Sequence, residues 1–497
     1  MRFLVKLFPE ITIKSRPVRH RFVRQLRRNI RAALKHLDPA VRVCGQWDII
    51  EVISAEDDDG LRAQLLERLI CTPGIAAVFE VEQHPLPSLD GMLQLALAHY
   101  GAALEGKTFA VRCRRSGKHS FRSVDVERHV GAGLCQQTGA VGVNLDNPEL
   151  KVVLEIRHED FYIVTARHVG MGGYPLGCQD SVLSLISGGF DSAVSSYMCI
   201  RRGLRTHYCF FNLGGSEHEL AVKELALYLW LKYHSTHRVK FITVPFEGVV
   251  KEILDKVESS QMGVVLKRMM LRAADQIARQ LDVSALATGE SVAQVSSQTL
   301  ANLAVIDSVC ETLVLRPLST VDKQQIIDIA REIGTEQFSR NIPEYCAVIS
   351  DKPTTKARPE RIAQQEECFD FAVLERAVAA AHEQVITEIG EAFAGGYDAG
   401  GEVVEVPVLD EPVAGGTVID LRHPVEVELK PLSLNIAKGG LEVLNIPFYA
   451  LRTDFAKLDP AKQYLLYCDR GMMSRLHAAH LRDQGFSNVS VLAGGRS

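Results

Sequence analysis

The sequence predicts a multidomain α/β protein, and three observations carry this prediction. The chain of 497 residues is too long for one hydrophobic core and long enough for three or four domains. Residues 417–497 alternate short apolar and helical stretches, as a compact α/β domain does. A longer alternation between residue 181 and about residue 335 indicates a doubly wound parallel sheet with helices on both faces. Its apolar runs are 182–186, 207–211, 239–244, 284–287 and 312–316.

The amino-terminal part of the chain predicts two smaller α+β units. The first ends near residue 80, with strands at 1–13, Trp47–Ile53 and 75–82 and helices from Pro17 and over Leu61–Ile70. The second has a strand at 107–119, a helix at Val124–Leu134 and a strand at Val152–Arg157. Glycine-rich Gly170–Gly177 and acidic 399–416 are expected to be linkers between domains, and Ala/Glu-rich 375–395 is expected to be a helix.

Composition restricts where the protein acts. No run of about 18 apolar residues occurs, and the first residues lack the small-residue cleavage site of a signal peptide. We therefore expect a cytoplasmic protein without a membrane partner. The eleven cysteines show no CxxC spacing, which argues against a disulfide scaffold and a zinc ribbon.

Basic residues are concentrated near the amino terminus, although the net charge is −5. Nine Lys/Arg and no acid lie between Lys14 and His36, a distribution that favours contact with a polyanion over a merely solvated helix face. The second unit contributes a cationic strand face and a following turn. The candidate phosphate contacts are Arg24, Arg28, Arg31, Arg112, Arg114 and Lys118.

The stretch "LISGGFDSAV" (185–194) predicts an anion site. An apolar strand ends at two glycines, which let successive backbone N–H groups turn inward at the start of a helix. Ser187 and Ser192 add hydroxyl groups, and Asp191 is suited to act through Mg²⁺ or a water molecule. A tight strand-to-helix turn would be the purely structural alternative. No lysine follows the loop, so it is not a Walker A loop.

This stretch resembles the SGGxDS pyrophosphate loop of the ATP pyrophosphatase superfamily, whose members cleave ATP between the α and β phosphates and adenylate an oxygen of the substrate. Three downstream stretches narrow the resemblance: "GVVLKRMMLRAA" (263–274), with Lys267, Arg268 and Arg272 on one helix, "LATGESVAQVSSQTLANL" (286–303) and "LRPLSTVDKQQII" (315–327). In this order they resemble the tRNA 4-thiouridine synthetase (ThiI) family along nearly the whole chain. One departure is Val292-Ala293, where the family leads us to expect Leu-Gly.

The resemblance implies four domains and a set of site residues. The domains are a ferredoxin-like domain at 1–75, a THUMP RNA-binding domain at 76–167, a PP-loop ATP pyrophosphatase domain at 178–395 and a rhodanese domain at 405–497. Asp191 and Lys323 are implied to be catalytic, with ATP and Mg as cofactors and no protein metal ligands beyond possible Mg with ATP. The implied ATP-binding residues are Leu185, Ile186, Ser187, Gly188, Gly189, Asp191, Ser192, Lys267, Gly289 and Gln298.

Cys468 lies in "YLLYCDRGMMSRL" (464–476), between a predicted strand and a helix. Backbone N–H groups and the helix dipole in such a loop stabilise a thiolate, and loops of this design carry a persulfide. A phosphatase would need Arg six positions after the cysteine, where Ser474 stands. Met473 stands where many free-standing rhodaneses have an arginine. The structural alternative to a persulfide carrier is that Cys468 is a buried and inert cysteine.

The resemblance also implies a sulfur relay. A cysteine desulfurase would load Cys468, ATP would adenylate O4 of a tRNA uridine, and sulfur would reach that carbon as persulfide or released sulfide. Cys346 would then resolve the persulfide in a Cys346–Cys468 disulfide, which a thioredoxin-type reductant resets. Sulfur donation to the thiamine sulfur-carrier protein is implied as a second role. The oligomeric state stays open, a homodimer included.

Two other functions are compatible with parts of the sequence. An N-type PP-loop amide ligase would use the same glycine loop, but it needs a glutaminase or an ammonia channel, for which no candidate domain is visible. A non-catalytic RNA-binding scaffold would account for residues 1–165 but explains neither the glycine loop nor Cys468.

Overall fold

The computed structural model describes most of the first 395 residues and a smaller share of the remainder. The described residues are 1–45, 49–213, 215–341, 352–395, 406–409, 415–422, 427, 432, 442–447, 451, 454–468, 474, 477–478, 481–482 and 485–492. They fall into two units, Met1–Cys178 and Gln179–Ser497. Within these ranges no helix combines the length and apolar character that a membrane span requires.

An eight-stranded sheet forms the frame of the first unit. Its strand order is β2-β3-β1-β4-β8-β7-β5-β6, antiparallel except that β5 runs parallel to β6 and β7. The elements are β1 (Arg2–Leu7), α1 (Pro9–Thr12), α2 (Arg16–Leu34), β2 (Arg42–Cys44), β3 (Ile49–Ile53), α3 (Asp59–Ile70), β4 (Ile75–Pro85), α4 (Leu89–Tyr100), β5 (Thr108–Ser116), α5 (Ser123–Gln137), β6 (Gly142–Val143), β7 (Leu150–Arg157) and β8 (Asp160–Gly172).

The amphipathic helix α2 packs as its sequence period predicts. Phe22, Leu26 and Ile30 recur every four residues and are buried in the core of the sheet. Arg24 and Arg28, offset from that series, are exposed. The same spacing that builds the core therefore leaves a row of cationic side chains in solvent.

The two amino-terminal α+β units share one sheet, because β4 pairs antiparallel with β8 from Ile75 to Pro85. Two sequence predictions are corrected here. The strand expected over 1–13 ends at Leu7, since Pro9 begins the short helix α1. The linker expected at Gly170–Gly177 is a strand as far as Gly172, the last residue of β8.

The second unit begins with a doubly wound sheet in the order β13-β12-β9-β10-β11-β14. Its first five strands in the order given are mutually parallel, as predicted, and the strand alternation places their carboxyl ends at one edge. The elements are β9 (Ser181–Leu185), α6 (Phe190–Arg201), β10 (Arg205–Asn212), α7 (Gly215–Leu229), β11 (Lys240–Pro245), α8 (Glu247–Lys256), α9 (Met262–Gln280), β12 (Ala285–Ala287), α10 (Leu300–Asp307), β13 (Leu313–Leu315), α11 (Lys323–Ile333), α12 (Glu336–Asn341), α13 (Pro359–Glu367), α14 (Phe371–Ala379), β14 (His382–Val385) and α15 (Ile386–Gly395).

A five-stranded parallel sheet follows, in the order β15-β19-β18-β16-β17. Its strands are β15 (Val408–Leu409), β16 (Thr417–Asp420), β17 (Glu442–Asn445), β18 (Tyr464–Tyr467) and β19 (Val489–Leu492). Ile419, Leu466 and Val491, one from each of three of these strands, are fully buried in one hydrophobic core. This parallel arrangement agrees with the α/β domain predicted for residues 417–497.

Two predictions in the second unit are wrong in part. The expected helix over 375–395 is interrupted by β14, which pairs antiparallel with β11. The expected linker over 399–416 includes β15, which pairs with β19. Both strands lie at sheet edges, where partial exposure removes the apolar pattern by which a strand is recognised.

Buried histidines in the second unit predict acid sensitivity. Burial, followed by the Arg205 charge, lowers the pKa of His207 and of His237 to about 4, and burial lowers that of His234 well below 6.5. The rings of His234 and His237 stack at 6.1 Å, and Lys240 N donates to His207 Nδ1 at 3.0 Å. The folded state thus holds these rings neutral.

The contribution of these histidines to the free energy of unfolding is therefore expected to be fully present above pH 6.5. It should fall as the pH drops toward 4, because only the unfolded chain takes up these protons. Each histidine contributes at most about 1.4 kcal/mol per pH unit. Urea unfolding between pH 7.5 and 5 measures the slope. The His234→Leu variant should reduce that slope, and an unchanged slope would contradict the assignment.

Candidate active site

The glycine loop between β9 and α6 is wound tightly around Ser192. Gly188 has φ of +92°, the left-handed conformation that glycine adopts without strain. The Ser192 hydroxyl accepts a hydrogen bond from Ser187 N at 3.2 Å and donates to Gly189 O at 3.0 Å. Helix α6 begins one residue later, so its first N–H groups lie at this loop, where an anion binds favourably.

Asp191 lies at the start of α6 and binds two side chains from other loops. Its Oδ1 is 2.7 Å from Lys323 Nζ, and its Oδ2 accepts from Gln294 Nε2 at 2.7 Å. Lys323 is the first residue of α11, as the sequence predicts, and its ammonium also lies over the Phe190 ring. Parallel topology brings these groups together, because β9 and β13 both end at the same edge.

Gly289 packs directly on the backbone of α6. A Cβ at this position would lie 2.6 Å from Asp191 C and 2.7 Å from Ser192 N. Only glycine therefore allows the loop after β12 to approach the start of α6 this closely. Its role in the described geometry is to permit that approach.

Replacement of Gly289 by alanine is expected to displace the start of α6 and weaken nucleotide binding by about tenfold or more, a shift of roughly 1.4 kcal/mol. Isothermal titration with a non-hydrolysable ATP analogue measures this effect. Gly263→Ala is the matched control, because no atom lies within 4 Å of its added Cβ in α9. Equal affinities of the two variants would contradict the packing role.

Glu290 lies between two cations at the sheet edge. Its Oε1 is 2.6 Å from Lys267 Nζ, and its Oε2 accepts from Arg316 Nε at 2.8 Å. Burial raises the pKa of Glu290, but the Lys267 and Arg316 charges outweigh it and hold the pKa below its ordinary value. Lys267, predicted to contact ATP, is thus positioned by a carboxylate that the sequence reasoning did not select.

Arg268 and Arg272 of α9 bind a different carboxylate from Lys267. Arg268 donates to Glu366 Oε1 at 2.6 Å, and Arg272 donates to Glu366 Oε2 at 2.9 Å. Arg268 is buried. Glu366 of α13 therefore binds both guanidinium groups, whereas Lys267 of the same helix binds Glu290.

The loop that follows Gly289 contains two glutamines whose side-chain oxygens are buried. Oε1 of Gln294 and Oε1 of Gln298 are shielded from solvent and accept no hydrogen bond within the described residues. Ala293 has φ of +66° and donates its N–H to Gln298 O at 3.0 Å. Glycine adopts this conformation at lower cost than alanine, which explains why the family resemblance led us to expect glycine there.

His218 of α7 contacts the glycine loop and was not selected from the sequence. Its Nε2 is 3.1 Å from Ser187 O, and the Phe210 ring packs edge-on against the imidazole. Burial lowers the pKa of His218. The neutral ring that donates from Nε2 therefore fixes the orientation of the Ser187 carbonyl group.

Cys468 follows β18 at the carboxyl edge of the second parallel sheet. Ser474 N donates to Cys468 Sγ at 3.3 Å, and the two side chains lie 3.5 Å apart. Cys468 is 7% exposed. Cys346, the implied resolving cysteine, lies outside the described residues.

The six basic candidates lie in the first unit. Arg24, Arg28, Arg31, Arg114 and Lys118 are exposed. Arg31 donates to Val43 O at 3.0 Å, and Arg112 donates to Leu145 O at 2.5 Å. Arg31 and Arg112 therefore use part of their hydrogen-bonding capacity for contacts within the first unit itself.

Comparison with known proteins assigns the chain to a family. Family models match as the ThiI ferredoxin-like domain at residues 2–78, the THUMP domain at 88–166, thiamine biosynthesis protein (ThiI) at 177–371 and a rhodanese-like domain at 406–497. The chain is 54% identical to a tRNA sulfurtransferase of Azotobacter vinelandii over 99% of both chains. The chain belongs to the tRNA sulfurtransferase family.

Further relatives of this family agree in sequence and in fold. A tRNA sulfurtransferase of Pseudomonas aeruginosa is 53% identical over 99% of both chains. A crystal structure of a 4-thiouridine synthetase–RNA complex with bound ATP matches with a TM-score of 0.66 and 25% identity, over 78% of this chain and 99% of that one. The family resemblance and the fold class inferred from the sequence are confirmed, and the chain is an enzyme of the tRNA sulfurtransferase family.

Proposed function

We propose that the protein transfers persulfide sulfur to a tRNA uridine and forms 4-thiouridine, with ATP as the activating substrate. One observation carries the proposal: the glycine loop with Asp191 and Lys323, and the loop of Cys468, each lie at the carboxyl edge of a parallel sheet. A solved relative binds ATP and RNA. Family membership supports the same substrates for this chain.

The first step uses the glycine loop. The loop and the start of α6 bind the β and γ phosphates, and Lys323 neutralises charge on the departing pyrophosphate. The uridine O4 attacks the α phosphorus, so an O4–AMP bond forms and pyrophosphate leaves. Gly289, Lys267 and Gln298 bind the remainder of the nucleotide, together with Leu185 and Ile186 at the end of β9.

Mg²⁺ fits this site on chemical grounds. Asp191 offers carboxylate oxygens, which this ion prefers, and the Ser187 and Ser192 hydroxyls lie within the same loop. When bound with ATP, the ion would supply charge neutralisation on the phosphates. Lys323 and Gln294 hold the Asp191 carboxylate in a fixed orientation for that purpose.

The second step uses the two cysteines. The terminal sulfur of the Cys468 persulfide attacks C4 of the adenylated uridine and AMP leaves, so Cys468 and the nucleoside share a disulfide. The Cys346 thiolate attacks the Cys468 sulfur, which releases 4-thiouridine and forms the Cys346–Cys468 disulfide. A thioredoxin-type reductant returns two electrons. Release of free sulfide by Cys346 before attack is the alternative order.

Several partners follow from this chemistry. A cysteine desulfurase supplies the persulfide sulfur, and the tRNA lies along the basic residues of the first unit. The same persulfide supports sulfur donation to the thiamine sulfur-carrier protein. A homodimer is compatible with this scheme.

The experiment is in vitro thiolation with purified protein, unmodified tRNA, ATP and a persulfide donor, with 4-thiouridine measured by mass spectrometry. We expect thiolation that requires ATP and both Asp191 and Cys468. An amide ligase or an RNA-binding scaffold would form no 4-thiouridine. Absence of the product under these conditions would contradict the proposal.

A further inference from the structure

Three side chains in the first unit point toward one another outside the site described above. Glu82 and His84 stand two residues apart on β4, and His99 lies in the last turn of α4. Glu82 Oε2 is 3.0 Å from His99 Nε2 and 3.7 Å from His84 Nε2. One carboxylate oxygen and two imidazole nitrogens, all within 4.8 Å of one another, form this cluster.

The fold explains why these residues meet. Residues i and i+2 of a strand project from the same face, which places Glu82 and His84 side by side. Glu82 pairs with Ile163, and His84 with Phe161, both of which belong to the core that α4 covers. The end of α4 therefore brings His99 over the same strand face.

We propose that Glu82, His84 and His99 form a binding site for a transition-metal ion of the Zn²⁺ type. Two imidazole nitrogens and one carboxylate oxygen are a common ligand set for this ion, with water in the fourth position. Ligand atoms of one tetrahedral zinc lie about 3.3 Å apart, given metal–ligand distances of roughly 2.0–2.1 Å. The observed 3.0 and 3.7 Å bracket that separation.

A simple histidine–carboxylate ion pair accounts for less of the arrangement. One ion pair would satisfy Glu82 with a single histidine, yet both Nε2 atoms lie within 3.7 Å of the same oxygen. His84 Nε2 is also shielded from solvent and forms no hydrogen bond within the residues that the structure describes. A bound cation would give this nitrogen its missing partner. It would also tie β4, the strand that joins both halves of the sheet, to the end of α4.

Titration of the full chain with Co²⁺, and competition by Zn²⁺, test the site through the absorption of bound cobalt, in buffer with a phosphine reductant. We expect one equivalent to bind, and His84→Ala, His99→Ala and Glu82→Gln each to weaken binding by about tenfold or more. Zn²⁺ should also raise Tm in the parent chain and not in these variants.

His129→Ala is the matched control. His129 Nε2 lies 2.8 Å from Asp90 Oδ1, so it is a histidine–carboxylate pair of the same unit, and no third ligand joins it among the residues that the structure describes. Its replacement should leave cobalt binding unchanged. The proposal is overturned if the parent chain binds no Co²⁺, or if binding survives in the His84 and His99 variants, as it would with a site at the cysteines. Circular dichroism verifies that each variant is folded.

Discussion

Replacement of Asp191 by asparagine is expected to slow ATP-dependent thiolation by about 10²–10³-fold. Asparagine preserves the shape of the side chain but removes the charge that holds Lys323 at 2.7 Å. Lys323 then loses its fixed position beside the glycine loop, and the carboxylate that we propose as a Mg²⁺ ligand is absent. Pyrophosphate release in the presence of tRNA measures the rate.

The fold should survive this change, because the Lys323 side chain is 41% exposed and an ion pair of this kind contributes little stability. Asp328→Asn is the matched control, since Asp328 is an exposed carboxylate on the same helix as Lys323. Its activity should equal that of the parent chain. A fully active Asp191→Asn variant would exclude the assigned role.

The second large effect is expected at Cys468. Cys468→Ser should abolish both persulfide formation and thiolation, because a serine hydroxyl cannot accept sulfane sulfur. The smaller hydroxyl can still accept the hydrogen bond from Ser474 N, so the loop should keep its structure. Mass spectrometry of the intact protein, after incubation with a cysteine desulfurase and cysteine, detects any sulfur that the protein has taken up.

Cleavage of ATP to AMP should persist in Cys468→Ser, because the proposed activation and sulfur-delivery sites lie on different sheets. Cys368→Ser is the control, since Cys368 is exposed in the same unit and has no assigned role. Its thiolation activity should be unchanged. Thiolation by Cys468→Ser with a persulfide donor would disprove delivery through this residue.

The sequence selected Asp191 and Lys323 as site residues because parallel topology is easily inferred, but it did not predict that they pair with each other. The strands before Asp191 and Lys323 are apolar runs in the sequence, and alternation with helices indicates that they are parallel. Both residues therefore had to lie at the same sheet edge, and the structure places them 2.7 Å apart. The glycine loop was recognisable for the same local reason, a strand that ends in residues able to turn sharply.

Side chains that reach across loops were not predictable in this way. Gln294 binds Asp191 through an irregular loop, and Glu290 pairs with both Lys267 and Arg316 from three different segments. His218 contacts Ser187 from a helix after the next strand. Such contacts depend on tertiary packing, and no periodic pattern in the sequence encodes them.

The edge strands were missed for a different reason. β14 has four residues, three of them polar and in part exposed, within a stretch rich in helix-forming residues. β15 has only two residues. Pairing with a neighbouring strand overrides the weak local preference in both places. The proposed metal-binding cluster of Glu82, His84 and His99 could not be recognised from the sequence either. Its members are separated along the chain and meet only where α4 folds over β4.

The most direct test of the account is the fate of ATP during thiolation. Purified protein is incubated with unmodified tRNA, a persulfide donor and ATP labelled at the α phosphorus. It should form one AMP and one pyrophosphate for each 4-thiouridine. Formation of ADP and phosphate, or of 4-thiouridine without AMP, would contradict activation of the uridine by adenylation.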